Sequence, residues 1–187
     1  QVDSIQQLYH VTGEFMAHDE HPDYYSTRWA LEASSEVTSV QHHHAHVVSA
    51  MVEHSMLDRE VLGIAFDGTG LGTDGSIWGG EFLVATASSF TRVGHFLPFG
   101  MLGGEQAIRQ PWRIAAALLI DSEVSDCDAE LGRIVPGVGV GTLRDLLDDP
   151  SISPRTSSVG RLFDGVASIV LGQPVANHQG ELAMCLE

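Results

Sequence analysis

The feature that most constrains the fold is an almost entirely apolar run at residues 61–66, which leads directly into a glycine-rich stretch at residues 67–75. Such a run is typical of a strand that is buried on both faces of a sheet. Strand-like segments follow at residues 77–86 and 91–97, which predicts an antiparallel meander on the edge of a mixed sheet. Helical periodicity on both sides of the meander makes this an α/β chain.

The remaining elements follow from periodicity, proline and capping signals. Pro22 suits the first turn of a helix, and Ser157-Ser158 offers an N-cap. The other predicted strands cover residues 14–18 and 37–40, and the predicted helices cover residues 3–10, 23–33, 44–56, 111–120, 142–147, about 159–170 and 180–187.

The glycine-rich stretch is a candidate phosphate site. Glycines permit positive φ angles and let backbone N–H groups approach an anion. The third glycine comes one residue too early for the dinucleotide fingerprint, and the Gly-Lys-Ser/Thr of a P-loop does not occur. The order strand, Asp-Gly-Thr-Gly, strand does match the hairpin that actin-like ATPases wrap around phosphates. The alternative is a plain hairpin with flexible glycines.

Four histidines lie within five residues, at positions 42, 43, 44 and 46. His42 and His46 are four residues apart, so on a helix both imidazoles project from one face, which is a common way to offer two ligands to one ion. His43 and His44 are then expected to point elsewhere. Two imidazoles need a further strong ligand, and Asp67, at the end of the next strand, is the natural candidate. The alternative is a solvated polar loop.

The late helix places Gly160 and Asp164 one turn apart. A carboxylate at that position could hold ribose hydroxyls beside a glycine that leaves the approach open. The alternative is an ordinary amphipathic helix whose apolar side chains face the core. Arg109 and Arg113 likewise have two interpretations, as phosphate contacts or as partners of some of the 25 acidic residues.

Composition narrows the possible partners. The formal charge of −16 makes nucleic acid an unfavourable partner. The longest strongly apolar run, residues 114–120, is too short to span a bilayer, so no membrane partner is expected. Cys127 and Cys185 form neither a disulfide framework nor a zinc pattern, which favours a reducing, cytoplasmic location. Both ends of the chain look internal to a longer protein.

Five runs in the sequence together resemble the HypF carbamoyltransferases of nickel–iron hydrogenase maturation, in order and in spacing. They cover residues 17–28, 40–46, 66–82 with Trp-Gly-Gly-Glu at 78–81, 107–113 and 157–167. The resemblance implies a duplicated ribonuclease-H-like fold of the actin and sugar-kinase type, truncated at both ends. Residues 1–60 would be the latter part of the first lobe, with the histidine metal motif. Residues 61–187 would be most of the second lobe, with the phosphate hairpin and the nucleotide-binding helix.

The resemblance also implies site residues. A divalent iron or zinc ion would be bound by His42, His46 and Asp67, and His46 and Asp67 would act in catalysis. ATP or carbamoyl-adenylate, with magnesium as a further candidate, would be bound by the hairpin and the late helix. The residues that this assigns to the nucleotide are Gly68, Thr69, Gly70, Gly72, Asp74, Gly160, Asp164 and Glu181.

In this family, carbamoyl phosphate and ATP give carbamoyl-adenylate in a separate domain. The domain that this chain resembles then passes the carbamoyl group to the C-terminal cysteine thiol of HypE, on the way to a cyanide ligand of the hydrogenase iron. Two other function classes stay open. One is another actin-like carbamoyltransferase, acting on tRNA or on a hydroxyl group. The other is a metal-binding module without catalysis, which would bind metal but no nucleotide.

Overall fold

The structure is a computed structural model that describes residues 2–11, 13–34 and 36–186. The elements in chain order are α1 (Val2–Tyr9), β1 (Met16–Asp19), α2 (Tyr25–Ala33), β2 (Val37–Val40), α3 (His42–Glu53), β3 (Val61–Leu71), β4 (Ile77–Ala85), β5 (Phe90–His95), β6 (Phe99–Gly100), α4 (Gln106–Arg109), α5 (Trp112–Asp121), α6 (Cys127–Ile134), α7 (Val140–Leu147), β7 (Arg155–Thr156), α8 (Val159–Leu171) and α9 (Glu181–Cys185).

The first part of the chain is a small parallel sheet with the helices α1, α2 and α3. β1 and β2 pair in parallel, and their register sets Asp19 opposite Val40. The chain then turns at Gln41 into α3. The end of β1 therefore lies beside the first turn of the histidine helix, an arrangement that depends on pairing between distant segments.

The second part is a mixed sheet in the order β3-β4-β7-β6, with β5 paired to β4. β3, β4 and β5 are antiparallel neighbours, whereas β4 and β7 pair in parallel. These pairings confirm the predicted meander and the mixed sheet.

The glycine-rich stretch is mostly strand, so β3 extends beyond the predicted run at residues 61–66. β3 continues to Leu71, and its register against β4 shifts between Phe66 and Gly70, so the intervening residues bulge out of the ladder. The turn itself is short: Gly72 N–H donates to the carbonyl of Ser76, and Gly75 has a φ of 77°. The bulge projects the candidate phosphate residues away from regular pairing.

β3 is covered on one face only by the part of the chain that the structure describes. Gly63 faces α3 so closely that an added Cβ would lie 2.4 Å from Cγ2 of Val47. On the opposite face Leu62, Ile64 and Phe66 are 61%, 56% and 59% exposed. The prediction of burial on both faces is therefore wrong for this strand, because α3 packs against a single side of it.

The main helical core lies around α5. Ile114 and the three alanines that follow it are fully buried. α8 crosses α5 at Gly165, where an added Cβ would lie 2.6 Å from Cγ2 of Ile114. α8 ends at Gly172, whose φ of 66° stops the helix in the left-handed conformation.

Most predicted helices are present with shifted ends. α3 begins at His42 rather than at residue 44, and α2 begins at Tyr25, so Pro22 precedes the helix instead of lying in its first turn. The helix predicted at 180–187 is present as α9, while Glu187 lies outside the described residues. Among the residues that the structure covers, every helix falls short of the length and apolar character that a membrane span requires.

Candidate metal and phosphate site

The three predicted metal ligands converge. The side chain of Gln41 caps α3 by accepting the His44 N–H at 2.8 Å, so the helix begins at His42 and carries His46 one turn later. Nε2 of His42 lies 3.3 Å from Nε2 of His46 and 2.9 Å from Oδ2 of Asp67. One ligand atom from each of the three residues lies within 4.8 Å of the other two.

The donor set fits zinc or divalent iron, both of which accept imidazole and carboxylate ligands. The second nitrogen of His42, Nδ1, lies 2.7 Å from Oδ2 of Asp19. Histidines that bind a metal commonly donate their other N–H to a carboxylate, which fixes the tautomer and the ring orientation. The pattern around His42 is therefore that of a metal ligand with an outer partner.

The sequence alone did not indicate a role for Asp19, although this residue lies in one of the runs that carry the resemblance. Its carboxylate also accepts the His21 N–H at 2.8 Å. Burial alone would raise the pKa of Asp19, but the hydrogen bonds from His42 and His21 outweigh burial and hold that pKa below its usual value. The available signal was the position of Asp19 at the end of a strand that could pair with β2.

His43 does not point away from the site, so that prediction is wrong. Its side chain is fully buried and tilted against the ring of Trp78, and its Nε2 lies 3.8 Å from Oδ2 of Asp67. The reason is that the β3–β4 hairpin packs across the start of α3 and covers the face that carries His43. Burial, with the charge of neighbouring His42, lowers the pKa of His43 to about 4.

His44 does lie elsewhere. It is 8% exposed, its Nε2 is 2.8 Å from the carbonyl of Thr86, and its ring contacts Phe90. His44 therefore anchors α3 to the end of β4 and takes no part in the convergence of ligand atoms.

Gly70 joins the histidines to the hairpin. A Cβ at this position would lie 2.5 Å from Cε1 of His43 and 2.7 Å from Cδ2 of His42. Both imidazole rings thus rest directly on the hairpin backbone, and only glycine leaves room for them. Gly72 is equally restricted, because an added Cβ would meet Nε1 of Trp78 at 2.1 Å.

The N-terminus of α8 abuts the same hairpin. Ser158 caps the helix by accepting the Arg161 N–H at 3.0 Å, and its hydroxyl lies 2.6 Å from the carbonyl of Gly68. An added Cβ at Gly160 would lie 3.0 Å from Cα of Gly68. The positive end of a long helix therefore lies beside the bulge, an arrangement that favours anions.

The other predicted nucleotide residues lie around this junction. Asp164 is 2% exposed, and its Oδ2 lies 2.7 Å from Nη1 of Arg161. Burial raises the pKa of Asp164, and the charge of Arg161 opposes that rise. Glu181, at the start of α9, accepts a hydrogen bond from the Asn177 amide at 2.9 Å. Thr69 lines a cavity of about 320 Å³ together with Tyr24.

Tyr24 was also missed by sequence reasoning as a site residue. Its ring stacks on His21 with centroids 4.3 Å apart. Burial raises the pKa of Tyr24, and the carboxylates of Asp19 and Asp67 add to that rise. Its hydroxyl therefore stays protonated near neutral pH.

Asp74 lies in the turn of the hairpin and belongs to a hydrogen-bonded network. Its Oδ1 accepts the indole N–H of Trp78 at 2.9 Å, and its Oδ2 lies 3.2 Å from Nη1 of Arg92. Arg92 also donates from Nε to the fully buried Glu81 at 2.6 Å. Glu81 further accepts the hydroxyl of Ser157. This network ties the hairpin to the start of α8.

The two arginines near α5 differ in their exposure and contacts. Arg109 is exposed. Arg113 donates to the side-chain oxygen of Gln110 at 2.7 Å and lies over the Trp112 ring. Neither forms an ion pair with an acidic residue in the described part of the chain, so the interpretation as partners of acidic groups gains no support there.

The chain matches known sequences along nearly its whole length. The family profile described as "Carbamoyltransferase, Kae1-like Domain, second subdomain" matches residues 63–187, and that described as "HypF Kae1-like domain" matches residues 1–53. Carbamoyltransferase HypF of Synechocystis sp. is 40% identical, over 98% of this chain and 26% of the relative. A carbamoyltransferase HypF homolog of Cupriavidus necator is 39% identical, over 98% of this chain and 48% of the relative. The chain thus spans only part of these relatives.

Solved structures agree. A crystal structure of full-length HypF in the phosphate- and nucleotide-bound form matches with a TM-score of 0.85 and 35% identity, over 98% of this chain and 24% of that one. The structure of T. kodakarensis HypF matches with a TM-score of 0.83 and 28% identity, over 99% of this chain and 26% of that one. The fold, the profile matches and the relatives agree that the chain belongs to the HypF carbamoyltransferase family.

Proposed function

We propose that this chain forms the carbamoyl-transfer domain of a HypF protein. It binds carbamoyl-adenylate and passes the carbamoyl group to the C-terminal cysteine thiol of HypE, in the synthesis of the cyanide ligand of nickel–iron hydrogenase. The observation that carries the proposal is the convergence of ligand atoms from His42, His46 and Asp67 within 4.8 Å. The relatives are named carbamoyltransferases, which supports the proposed chemistry.

His42, His46 and Asp67 would hold a divalent iron or zinc ion. When bound, such an ion supplies Lewis acidity that polarises the carbamoyl carbonyl and offsets charge on the phosphate. Asp19 orients the ring of His42 and selects its tautomer for metal binding. Its carboxylate lies 2.7 Å from Nδ1, so the ring proton belongs on Nδ1 and the lone pair of Nε2 faces the site.

The nucleotide would lie along the hairpin bulge and the start of α8. Backbone N–H groups near Gly68 and Thr69 and the helix N-terminus suit the phosphate, with magnesium as a further candidate ion. Gly160, also assigned to the nucleotide by the resemblance, lets the start of α8 approach the hairpin, where an added Cβ would lie 3.0 Å from Cα of Gly68. Asp164 and Glu181 stay candidates for the ribose hydroxyls, and Asp164 would have to leave its pairing with Arg161 to reach them.

The proposed step is a substitution at the carbamoyl carbon. The thiol sulfur attacks that carbon and forms the C–S bond, and the C–O bond to the phosphate breaks. AMP leaves with the bonding electrons, and the thiol proton passes to water. The product is a thiocarboxamide on the cysteine.

We also propose the architecture that the family implies, a duplicated ribonuclease-H-like fold. Residues 1–60 would then belong to the first lobe and residues 61–187 to the second. The parallel pair β1–β2 and the antiparallel meander β3–β4–β5 support this division, because each part has its own sheet.

The experiment is a paired binding measurement on a complete HypF protein that carries this chain. Replacing both His42 and His46 with alanine should remove one bound ion per chain, while His54→Ala, an exposed residue at the end of α3, should not. Equal metal content in the parent and the double variant would refute the metal site. Metal binding by the 187-residue chain without ADP binding would favour the non-catalytic module instead.

A further inference from the structure

The inference concerns His43, the middle histidine of the cluster. Its side chain is fully buried, and its Nε2 has no hydrogen-bond partner among the residues that the structure describes. That nitrogen is directed at the metal site, 3.8 Å from Oδ2 of Asp67. A buried polar atom without a partner is costly, so its orientation needs an explanation.

The proton on His43 can be placed from its neighbours. The backbone N–H of His44 is a donor, so the Gln41 atom 2.8 Å away must be the amide oxygen, Oε1. The other amide atom of Gln41 is therefore the NH₂ group, and its contact with the carbonyl of Leu71 at 3.0 Å agrees with that. The amide orientation is thus set by two backbone groups whose roles are fixed.

The same NH₂ group lies 3.2 Å from Nδ1 of His43. Because the amide donates there, Nδ1 must accept and carries no proton. In a neutral imidazole the proton is then on Nε2. His43 therefore directs an N–H at the carboxylate of Asp67.

The carboxylate of Asp67 is an acceptor for that N–H group. In the structure, Oδ2 of Asp67 forms a hydrogen bond with Nε2 of His42 at 2.9 Å, and Oδ1 accepts the Gly68 N–H at 2.6 Å. A His42 that binds a cation through Nε2 has no proton there, so its hydrogen bond to Asp67 is lost. The Nε2–H of His43 is then the neighbouring buried donor for Oδ2.

We propose that His43 is a positioning residue for Asp67. Its Nε2–H orients the carboxylate toward the pair formed by His42 and His46, and Gln41 selects the tautomer that makes this possible. The inference rests on the proposed metal site and adds a second outer partner to it. Asp19 orients one ligand, and His43 orients another.

The test compares two variants in a complete HypF protein, with Zn²⁺ titrated against a competing chelator. His43→Phe keeps a flat ring against Trp78 and removes the donor, and the Zn²⁺ dissociation constant should rise by about 10- to 100-fold. His43→Gln returns an N–H group and should recover most of that loss. If His43 only supports the fold, the His43→Phe variant should keep the Zn²⁺ affinity of the parent, and its metal-free form should unfold at a lower temperature. That result would overturn the proposal.

A second measurement does not depend on how the variants fold. Long-range ¹H–¹⁵N correlation spectra of the ¹⁵N-histidine-labelled parent protein distinguish the two neutral tautomers. His43 should carry its proton on Nε2 with Zn²⁺ bound, and a proton on Nδ1 would overturn the proposal.

The metal site and the role of His43 can fail separately. If His42→Ala leaves Zn²⁺ binding intact, the proposed metal site is wrong and the role of His43 falls with it. If His42→Ala abolishes Zn²⁺ binding while His43→Phe does not weaken it, only the role of His43 is refuted.

Discussion

At the scale of single residues, Glu81 is a buried carboxylate that forms several hydrogen bonds around the hairpin. It is fully buried, lies 2.6 Å from Nε of Arg92, and accepts the N–H groups of Gly79 and Gly80 at 3.0 and 3.2 Å. Burial alone would raise the pKa of Glu81, but the hydrogen bonds from Arg92, Ser157 and the backbone outweigh burial and hold that pKa below its usual value. The ionised form therefore stabilises the folded state.

Removing this charge should leave Arg92 partly buried with a weaker set of partners. We expect Glu81→Gln to lower the free energy of unfolding by about 3 kcal/mol, the low end of the range for breaking a buried ion pair, because Arg92 keeps Asp74. Urea unfolding measures this. Glu130→Gln is the control: its ion pair with Arg133 is exposed on α6, so we expect less than about 1 kcal/mol.

The Glu81 contribution should also depend on pH in a defined direction. Because its folded-state pKa is below the ordinary value of 4.5, the stabilisation is fully present above that pH and is lost as pH falls through the folded-state pKa. The difference in unfolding free energy between the parent and Glu81→Gln should therefore narrow below pH 4.5. A constant difference down to about pH 3 would contradict this account.

The site was predictable from sequence only where the signal was local. The four-residue spacing of His42 and His46 and the position of Asp67 at a strand end were enough to propose the ligand trio. The roles of Asp19 and His43 were not accessible, because they depend on the β1–β2 register and on how the hairpin crosses α3. The position of Asp19 at a strand end was a local signal, but it did not identify His42 as the partner, and no local pattern indicates the contact between His43 and the hairpin.

At the scale of elements, the junction between α8 and the hairpin depends on one hydroxyl. Ser158 accepts the Arg161 N–H and donates to backbone carbonyls of the bulge, 2.6 Å from Gly68 O. We expect Ser158→Ala to cost about 1–2 kcal/mol in unfolding free energy through the lost cap and to weaken ADP binding. Isothermal titration with ADP, alongside urea unfolding, measures both effects.

Ser88→Ala provides the control, since Ser88 is exposed in the turn between β4 and β5. It should change the unfolding free energy by less than about 0.5 kcal/mol. An unaltered ADP affinity in a folded Ser158→Ala protein would show that the junction does not shape the nucleotide site.

The hairpin and the histidine helix should be coupled through Gly70. An added Cβ would meet the His43 ring at 2.5 Å and the His42 ring at 2.7 Å, so Gly70→Ala must displace the histidines. We expect the Zn²⁺ dissociation constant to rise by at least about tenfold, since outer contacts of a metal site carry effects of that size. Chelator competition gives the constant.

Gly132→Ala is the matched control for Gly70→Ala. Gly132 lies inside α6 with nothing within 4 Å of an added Cβ. We expect this change to raise the unfolding free energy by about 0.5–1 kcal/mol through helix propensity and to leave Zn²⁺ binding as it is. Equal Zn²⁺ affinities in the two variants would argue against the coupling.

Element types were largely predictable, whereas their ends were less so. The long apolar faces of α5 and α8 set their periodicity, and both helices are present. The start of α3 was placed too late because Gln41 is an unusual N-cap. β3 is longer than the predicted run at residues 61–66, because Gly70 and Leu71 still pair with β4 despite the glycine-rich composition.

At the scale of the whole molecule, one face of β3 exposes a row of apolar side chains. Leu62, Ile64 and Phe66 alternate along an edge strand and are each more than half exposed. Unpaired edges and exposed apolar residues favour association. We expect the isolated 187-residue chain to associate as its concentration rises, measured by sedimentation velocity. Ile64→Thr with Phe66→Thr should reduce that association.

A monomer at every concentration, with one sharp and reversible unfolding transition, would contradict this expectation. The apolar run at 61–66 predicted a strand correctly, but its composition could not say which face α3 would cover. That depends on the close approach of Val47 at Gly63, a contact between separate elements.

The central proposal is that this chain performs carbamoyl transfer and not adenylate formation. In a complete HypF protein that carries the chain, His46→Ala should separate the two reactions. Exchange of pyrophosphate into ATP, dependent on carbamoyl phosphate, should persist, because the proposal places that step in another domain. Carbamoylation of the HypE cysteine should fall steeply, because the site loses a ligand that lies 3.3 Å from His42.

His54→Ala should leave both reactions at the parent rate, and circular dichroism checks that each variant is folded. The decisive measurement is the ratio of thiocarboxamide formation to pyrophosphate exchange in His46→Ala and in the parent. The account predicts a large fall in that ratio. A folded His46→Ala protein that carbamoylates HypE at the parent rate would contradict it.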